Sequence, residues 1–197
     1  AGSVRIDGAI LAKGADADIG LTATDTLRLG AGSRLEARGT ADQAGRVVLS
    51  AVDSDGNGRS GIAIESGAIV DVHGLDGQTN GAVRLRADRA GQDVAVTGNL
   101  TAAISGAKDV SVEAVRAYQK SGTTIVAEDI AGWKADTDAY MANAEAIENR
   151  LGLPGGLLAG VEIRSSGDLT LDTAGWDLVD WRYGGRAGVL SLIAGKN

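Results

Sequence analysis

LRLGAGSRLEARG (27–39) is answered thirty-five residues later by IAIESGAIVDVHG (62–74). Leu27 and Leu29 fall on Ile62 and Ile64, Gly32 on Gly67, Leu35 on Val70, Glu36 on Asp71, Ala37 on Val72 and Gly39 on Gly74. The shared positions are alternating aliphatics and glycines, with no catalytic residue type held in common. A repeat of that kind points to geometry: like side chains stack inside and glycines turn corners. Similar alternation runs through Val4-Arg5-Ile6, Val83-Arg84-Leu85-Arg86, Val94-Ala95-Val96, Val110-Ser111-Val112-Glu113, Val161-Glu162-Ile163-Arg164 and Leu169-Thr170-Leu171-Asp172. Each stretch has one aliphatic and one polar face, the period of a half-buried strand. Two all-β architectures fit: an antiparallel sandwich or barrel, and a parallel solenoid in which successive turns stack. Self-similarity at a fixed spacing favours the solenoid.

Composition agrees. The 197 residues suffice for one sizeable domain, 1–197. There are 30 Gly, one Pro, no Phe, no Cys and only 3% aromatics, so the core must be built from Val, Ile, Leu and Ala. The lack of Cys excludes a disulfide framework and thiolate metal sites. Net charge is −7 with no basic block, which argues against nucleic acid as a partner. No apolar run approaches the roughly 18 residues of a membrane-spanning helix.

One segment, 129–154, breaks the alternation and reads as a helical insertion. Tyr140, Ala144, Ile147 and Leu151 form one helical stripe, Asp136, Thr137 and Asp138 offer an N-cap, and Arg150, Gly152 and Pro154 mark the end. The spacing predicts one amphipathic helix over 137–151, laid against the flank of the solenoid, with Trp133 and Leu153 pinning its ends.

Several residue groups are candidates for chemistry or contact. Asp53, Asp55 and Asn57 alternate like the start of a calcium loop, but the twelfth position, where an EF-hand has a bidentate acid, is Ile64. The ordinary reading is a polar turn-rich loop, so no cofactor is expected beyond this calcium candidate. His73, the single histidine, reads as an exposed strand-end residue. Glu36 with Asp71, and Glu162 with Asp172, are the acid pairs that glycosidic chemistry would need, though acids are interleaved with arginines throughout. Trp176, Trp181 and Tyr183, with Arg182 among them, are the densest aromatic run. They suit packing over a rung edge, or contact with a glycan or receptor.

GAIVDVHG (67–74) followed by GAVRLRA (81–87), then DVSVEAVRAY (109–118), the helical segment, GVEIRSSGDLTLDTAGWDL (160–178) and GVLSLIAGKN (188–197) resemble the filamentous-haemagglutinin-like adhesins. These are large two-partner-secretion exoproteins of Gram-negative bacteria. The resemblance covers most of the chain. It implies a right-handed parallel β-helix, an interior fragment of a larger fibre at the cell surface. It further implies a non-enzymatic role in adhesion, cell–cell contact or biofilm. The partners it implies are an outer-membrane transporter during export, then a host receptor, glycan or neighbouring cell. A polysaccharide-processing or carbohydrate-binding β-helix is the alternative. Open ends of stacked strands would favour end-to-end self-association.

Overall fold

The alternating stretches form strands, and those strands pair in parallel. The computed structural model describes residues 2–40, 43–53, 59–172 and 175–195. It is mostly β. Strands come in threes: β1 (Val4–Ile6), β2 (Ala9–Lys13) and β3 (Asp18–Ala23); β4 (Thr26–Leu29), β5 (Arg34–Arg38) and β6 (Arg46–Ala51); β7 (Gly61–Ile64), β8 (Ile69–Asp71) and β9 (Gly81–Ala90). A short β10 (Asp93–Val94) folds back antiparallel on β9. The fourth set is β11 (Val96–Thr97), a one-turn helix α1 (Leu100–Ala103), β12 (Ile104–Ser105) and β13 (Ala107–Gln119). Beyond it come β14 (Thr124–Ile125), helices α2 (Ala127–Met141) and α3 (Ala144–Leu151), β15 (Leu157–Ser165), β16 (Thr170–Leu171), the pair β17 (Arg182–Tyr183) and β18 (Arg186–Ala187), and β19 (Val189–Ala194).

First members pair with first members, in the order β1-β4-β7-β11. Second members pair as β2-β5-β8-β12, and third members as β3-β6-β9-β13-β15-β19. Every pairing along these three ladders is parallel. That excludes the antiparallel sandwich for these strands. The register is the one the repeat spells out: Leu27 lies beside Ile62, Leu29 beside Ile64, Leu35 beside Val70 and Glu36 beside Asp71. Gly32 and Gly67 meet at the corner, where the Gly32 N–H donates to the Gly67 carbonyl at 3.3 Å. Both have positive φ, 86° and 94°, a conformation that disfavours any side chain.

The core is made of rows of like residues. Leu21, Leu49, Leu85, Val112 and Leu157 lie side by side across the third sheet. Two positions on, Ala23, Ala51, Ala87, Ala114 and Ala159 form a second row, each 5% exposed or less. Leu27, Leu29, Leu35, Leu49 and Leu85 are completely buried, each contributing about 1.5–3 kcal/mol relative to exposure. Medium aliphatics one strand spacing apart fill this interior without a phenylalanine.

The helical segment differs from the single helix predicted over 137–151. Two helices form, and the first begins at Ala127. Its start is set by Asp129, whose carboxylate accepts from the Val126 N–H at 3.0 Å and from Lys120 Nζ at 2.6 Å. Asp136 and Asp138 sit inside α2 and face partners instead of capping it: Asp136 takes Arg89 (3.1 Å) and the Tyr118 hydroxyl, and Asp138 takes Lys134 and Tyr183. The helix is interrupted by a turn between Met141 and Ala144, and α3 ends as the sequence predicts. Gly152 adopts φ 67°, its N–H donating to Asn149 and the Leu153 N–H to Glu148.

The helices do not lie on a flank. The first two sheets stop at β11 and β12, and the chain crosses from β13 to β15 through β14, α2 and α3. Tyr140, Met141, Ile147, Leu151 and Leu153 join the same core as Val96, Leu100 and Ala103 from the last strands and α1. Arg150 donates to the Val96 carbonyl at 2.9 Å, and the Thr101 hydroxyl donates to that of Gly152 at 2.6 Å. The helices therefore close the end of the apolar interior, while the third sheet runs on past them. Among the described residues, no helix is long and apolar enough to cross a membrane.

Candidate functional site

Alternation that points Leu85, Val112, Val161 and Ile163 inward points Arg84, Arg86, Glu113, Glu162 and Arg164 outward, all on the third sheet. There they form a continuous ionic chain. Glu113 accepts from Arg84 Nη2 and from Arg86 Nε (3.1 Å); Arg86 Nη2 passes on to Glu162, whose other oxygen takes Arg164 Nε at 2.5 Å. Arg164 Nη1 ends the chain on the Asp53 carbonyl at 2.5 Å. Glu113 and Glu162 are 1% and 2% exposed, so these are desolvated, charge-assisted bonds.

Burial alone would raise the Glu162 carboxyl, but the hydrogen bonds from Arg86 and Arg164 outweigh it and hold it below the usual glutamate value. A carboxyl with both oxygens on guanidinium groups is a poor proton donor to a glycosidic oxygen. Asp172, its sequence partner, follows β16, which pairs with β14 in a separate sheet. The structure does not bring Glu162 and Asp172 onto one ladder.

Glu36 and Asp71 do come together, side by side on the second sheet. Each is already engaged. Glu36, 7% exposed, takes Arg34. Asp71 Oδ1 accepts the His73 N–H at 3.0 Å and meets His73 Nδ1 at 2.7 Å, with Arg38 at 4.0 Å. Burial would raise Asp71, and the two contacts to His73 override it and lower the carboxyl. His73 is thus a half-exposed corner residue tied to its own strand.

The aromatic run packs. Trp181 is 5% exposed and meets Trp176 with ring centroids 5.6 Å apart. Trp176 stacks on Trp133 of α2 at 5.5 Å and 29°, and Trp133 meets Tyr118 of β13 at 5.6 Å. Ile125, Val161 and Ile163 complete this second cluster, which fixes α2 to the extended part of the third sheet. Tyr183 packs against the main core, its hydroxyl donating to Asp138 at 2.7 Å. Arg182 is exposed and donates to the Gly185 carbonyl at 2.7 Å.

Of the calcium candidates, Asp55 and Asn57 lie outside the described residues. Asp53 is buried, and its N–H donates to Asp88 at 2.7 Å. Burial raises the Asp88 carboxyl, which the Ser60 hydroxyl and the Asp53 N–H only partly offset. Among the described residues no three His, Cys, Asp or Glu side chains converge as a metal site.

Sequence reasoning did not find the Arg–Glu chain as a unit. Its signal was present: ionisable residues alternate with inward aliphatics at Val83-Arg84-Leu85-Arg86, Val112-Glu113 and Val161-Glu162-Ile163-Arg164. Which arginine meets which glutamate depends on register, and register between strands 27 to 76 residues apart is tertiary information. No protein-family profile, curated protein or solved structure matches the chain.

Proposed function

We propose that the chain is a right-handed parallel β-helix serving as a structural and adhesive module of a large secreted bacterial surface fibre, acting without catalysis. The observation that carries this reading is the recurrence of three strands whose equivalents stack residue on residue, from Val4, Leu27 and Ile62 to Val96 in one row. The hand follows from the general preference of parallel crossover connections. The phrases GAIVDVHG and GVEIRSSGDLTL, similar to those of filamentous-haemagglutinin-like adhesins, add the extracellular setting and the export partner. The acid pairs support a non-catalytic reading, because Glu36, Asp71, Glu113 and Glu162 each have a basic side chain at bonding distance. In such a scaffold the rows maintain shape, and contact with a receptor or neighbouring cell belongs to outward faces and loops.

The test removes one turn. Thr26 and Gly61 occupy equivalent places in β4 and β7, so deleting 26–60 sets Ile62 beside Val4 in place of Leu27. A stacked coil tolerates this: circular dichroism stays β and melting stays cooperative at a lower temperature. Deleting 26–43, a fraction of a turn, abolishes cooperative melting. Beads coated with the intact chain are retained on bacterial or epithelial layers, and bare beads are not. If the whole-turn deletion unfolds like the partial one, the coil is wrong. If the chain releases reducing ends from polysaccharides, the enzyme alternative replaces the adhesive one.

A further inference from the structure

Beside the Arg–Glu chain, the outer face of the third sheet carries a cleft of about 420 Å³. Its floor is set by register. Val48, Arg84 and Ser111 lie in one row across β6, β9 and β13, and Arg46 starts β6 beside Ala82. Leu158 of β15 lines it, and the β17–β18 hairpin, which packs beside β15, contributes Arg186. Gly184 and Gly185, with φ of 56° and 81°, make the two-residue turn that holds the hairpin.

Three arginines from three strands therefore converge on one cleft in a chain of net charge −7. Each is anchored by one acid: Arg46 by Asp18 at 3.2 Å, Arg84 by Glu113, and Arg186 by Asp109 at 2.6 Å, whose carboxylate also lines the cleft and is engaged by Arg186. A guanidinium has five donors and a single carboxylate contact occupies few of them. Arg186 shows the surplus most clearly. Its Nη1 makes no hydrogen bond within the protein and is shielded in this conformation, so a rotation of the side chain toward the cleft would bring a donor to a ligand without breaking a bond at that nitrogen.

We propose that this cleft binds the carboxylate of an acidic sugar, such as a uronic acid unit of a cell-surface glycan. The guanidinium groups of Arg186, Arg84 and Arg46 take the carboxylate, the Ser111 hydroxyl takes a ring hydroxyl, and Val48 and Leu158 pack against the ring's C–H face. A peptide main chain is a poorer fit. The floor is the face of a sheet whose strands are already paired on both sides, so no backbone edge is offered to it. A densely sulfated polymer is disfavoured by the overall negative charge, whereas a single carboxylate is read locally. The assignment deepens the adhesive reading and rests on it for its purpose, though not for its geometry.

Isothermal titration with trigalacturonic acid, its methyl ester and a heparin disaccharide tests it. The acid is expected to bind, the ester about tenfold or more weakly, and Arg186→Gln and Arg46→Gln each to weaken the acid by about tenfold with melting unchanged. Arg5→Gln, on β1 and outside this cleft, leaves affinity intact. Equal binding of the ester, tighter binding of the heparin disaccharide, no binding at millimolar ligand, or an unaltered Arg186→Gln variant each overturns the assignment. Bead retention that persists in Arg186→Gln sinks this site alone. Loss of retention by the intact chain sinks the adhesive reading itself.

Discussion

Ala87→Leu tests the stacking at its tightest point. Ala87 is 0% exposed and sits mid-row, in register with Ala51 on one side and Ala114 on the other. Those neighbours are one strand spacing away, roughly 4.8 Å, and Ala23 and Ala159 extend the row. An isobutyl group in place of a methyl cannot be absorbed by shortening a neighbour, because each neighbour is already a methyl. Overpacking of this kind costs about 1–3 kcal/mol. For a chain of this length that lowers the melting temperature by roughly 2–12 °C. Leu85→Ala, one inward position earlier and equally buried, leaves a cavity and costs about 3–5 kcal/mol. Ala63→Leu is the control: Ala63 lies on the polar face of β7 between Arg28 and Thr97 and should change stability by less than about 0.5 kcal/mol. Urea and thermal unfolding followed by far-ultraviolet circular dichroism measure all three. If Ala87→Leu melts with the parent while Ala63→Leu falls, the alanines do not form a packed row, and the interior is organised differently.

Two further outcomes follow from the site geometry. Trp181→Ala should cost about 3–5 kcal/mol, because it removes the end of the Trp133–Trp176–Trp181 stack; unchanged melting with lost glycan binding would return those rings to the role of a binding platform. Acid should destabilise the chain through Glu162 and Asp71. Both carboxyls lie below their ordinary values of 4.5 and 3.8 in the fold, so the unfolded chain takes up protons first as pH falls. Their contribution is complete above those values and disappears as pH drops through the folded ones. The urea midpoint should fall below about pH 4, and Glu162→Gln should flatten that limb relative to the parent. Asp88, raised by burial, acts in the opposite sense in both chains, so the comparison isolates Glu162. A midpoint that climbs on acidification equally in both would contradict the assignment of Glu162 to the Arg86–Arg164 clamp.

The register of β4 on β7 and β5 on β8 was legible because like residues stack on like. Leu27 predicts Ile62 and Leu35 predicts Val70 without knowledge of the loops between them. The alanine row was equally present, as Leu-x-Ala or Val-x-Ala at 21–23, 49–51, 85–87, 112–114 and 157–159, but unequal loop lengths hide it from a search at fixed spacing. Helix boundaries were not legible. The stripe Tyr140, Ala144, Ile147, Leu151 spans two helices, and α2 starts where Asp129 finds both Val126 and Lys120. Packing and surface contact both fitted Trp176, Trp181 and Tyr183 in the sequence, because the ring that Trp176 stacks on, Trp133, lies more than forty residues earlier in the chain.

Parallel stacking also explains why so many charges are arginine–carboxylate pairs. In a ladder of parallel strands an outward residue has neighbours roughly 4.8 Å away on both sides, so any like-charged row would repel along its length. The third sheet avoids this by register. Arg84 lies between Val48 and Ser111, and Arg86 between Ser50 and Glu113, with Leu158 beyond Glu113. Where like charges do face each other, as Arg5 with Arg28 and Glu36 with Asp71, each has an oppositely charged partner: Asp7, Glu65, Arg34 and Arg38 respectively. A hydrolytic carboxyl pair works the other way, with one acid left unneutralised so that its proton is held near neutral pH. The acid pairs here follow the rule of a scaffold. The surplus donors of Arg186 are one departure from it, and they belong to a residue that lines a cleft, which is why a ligand is best sought there.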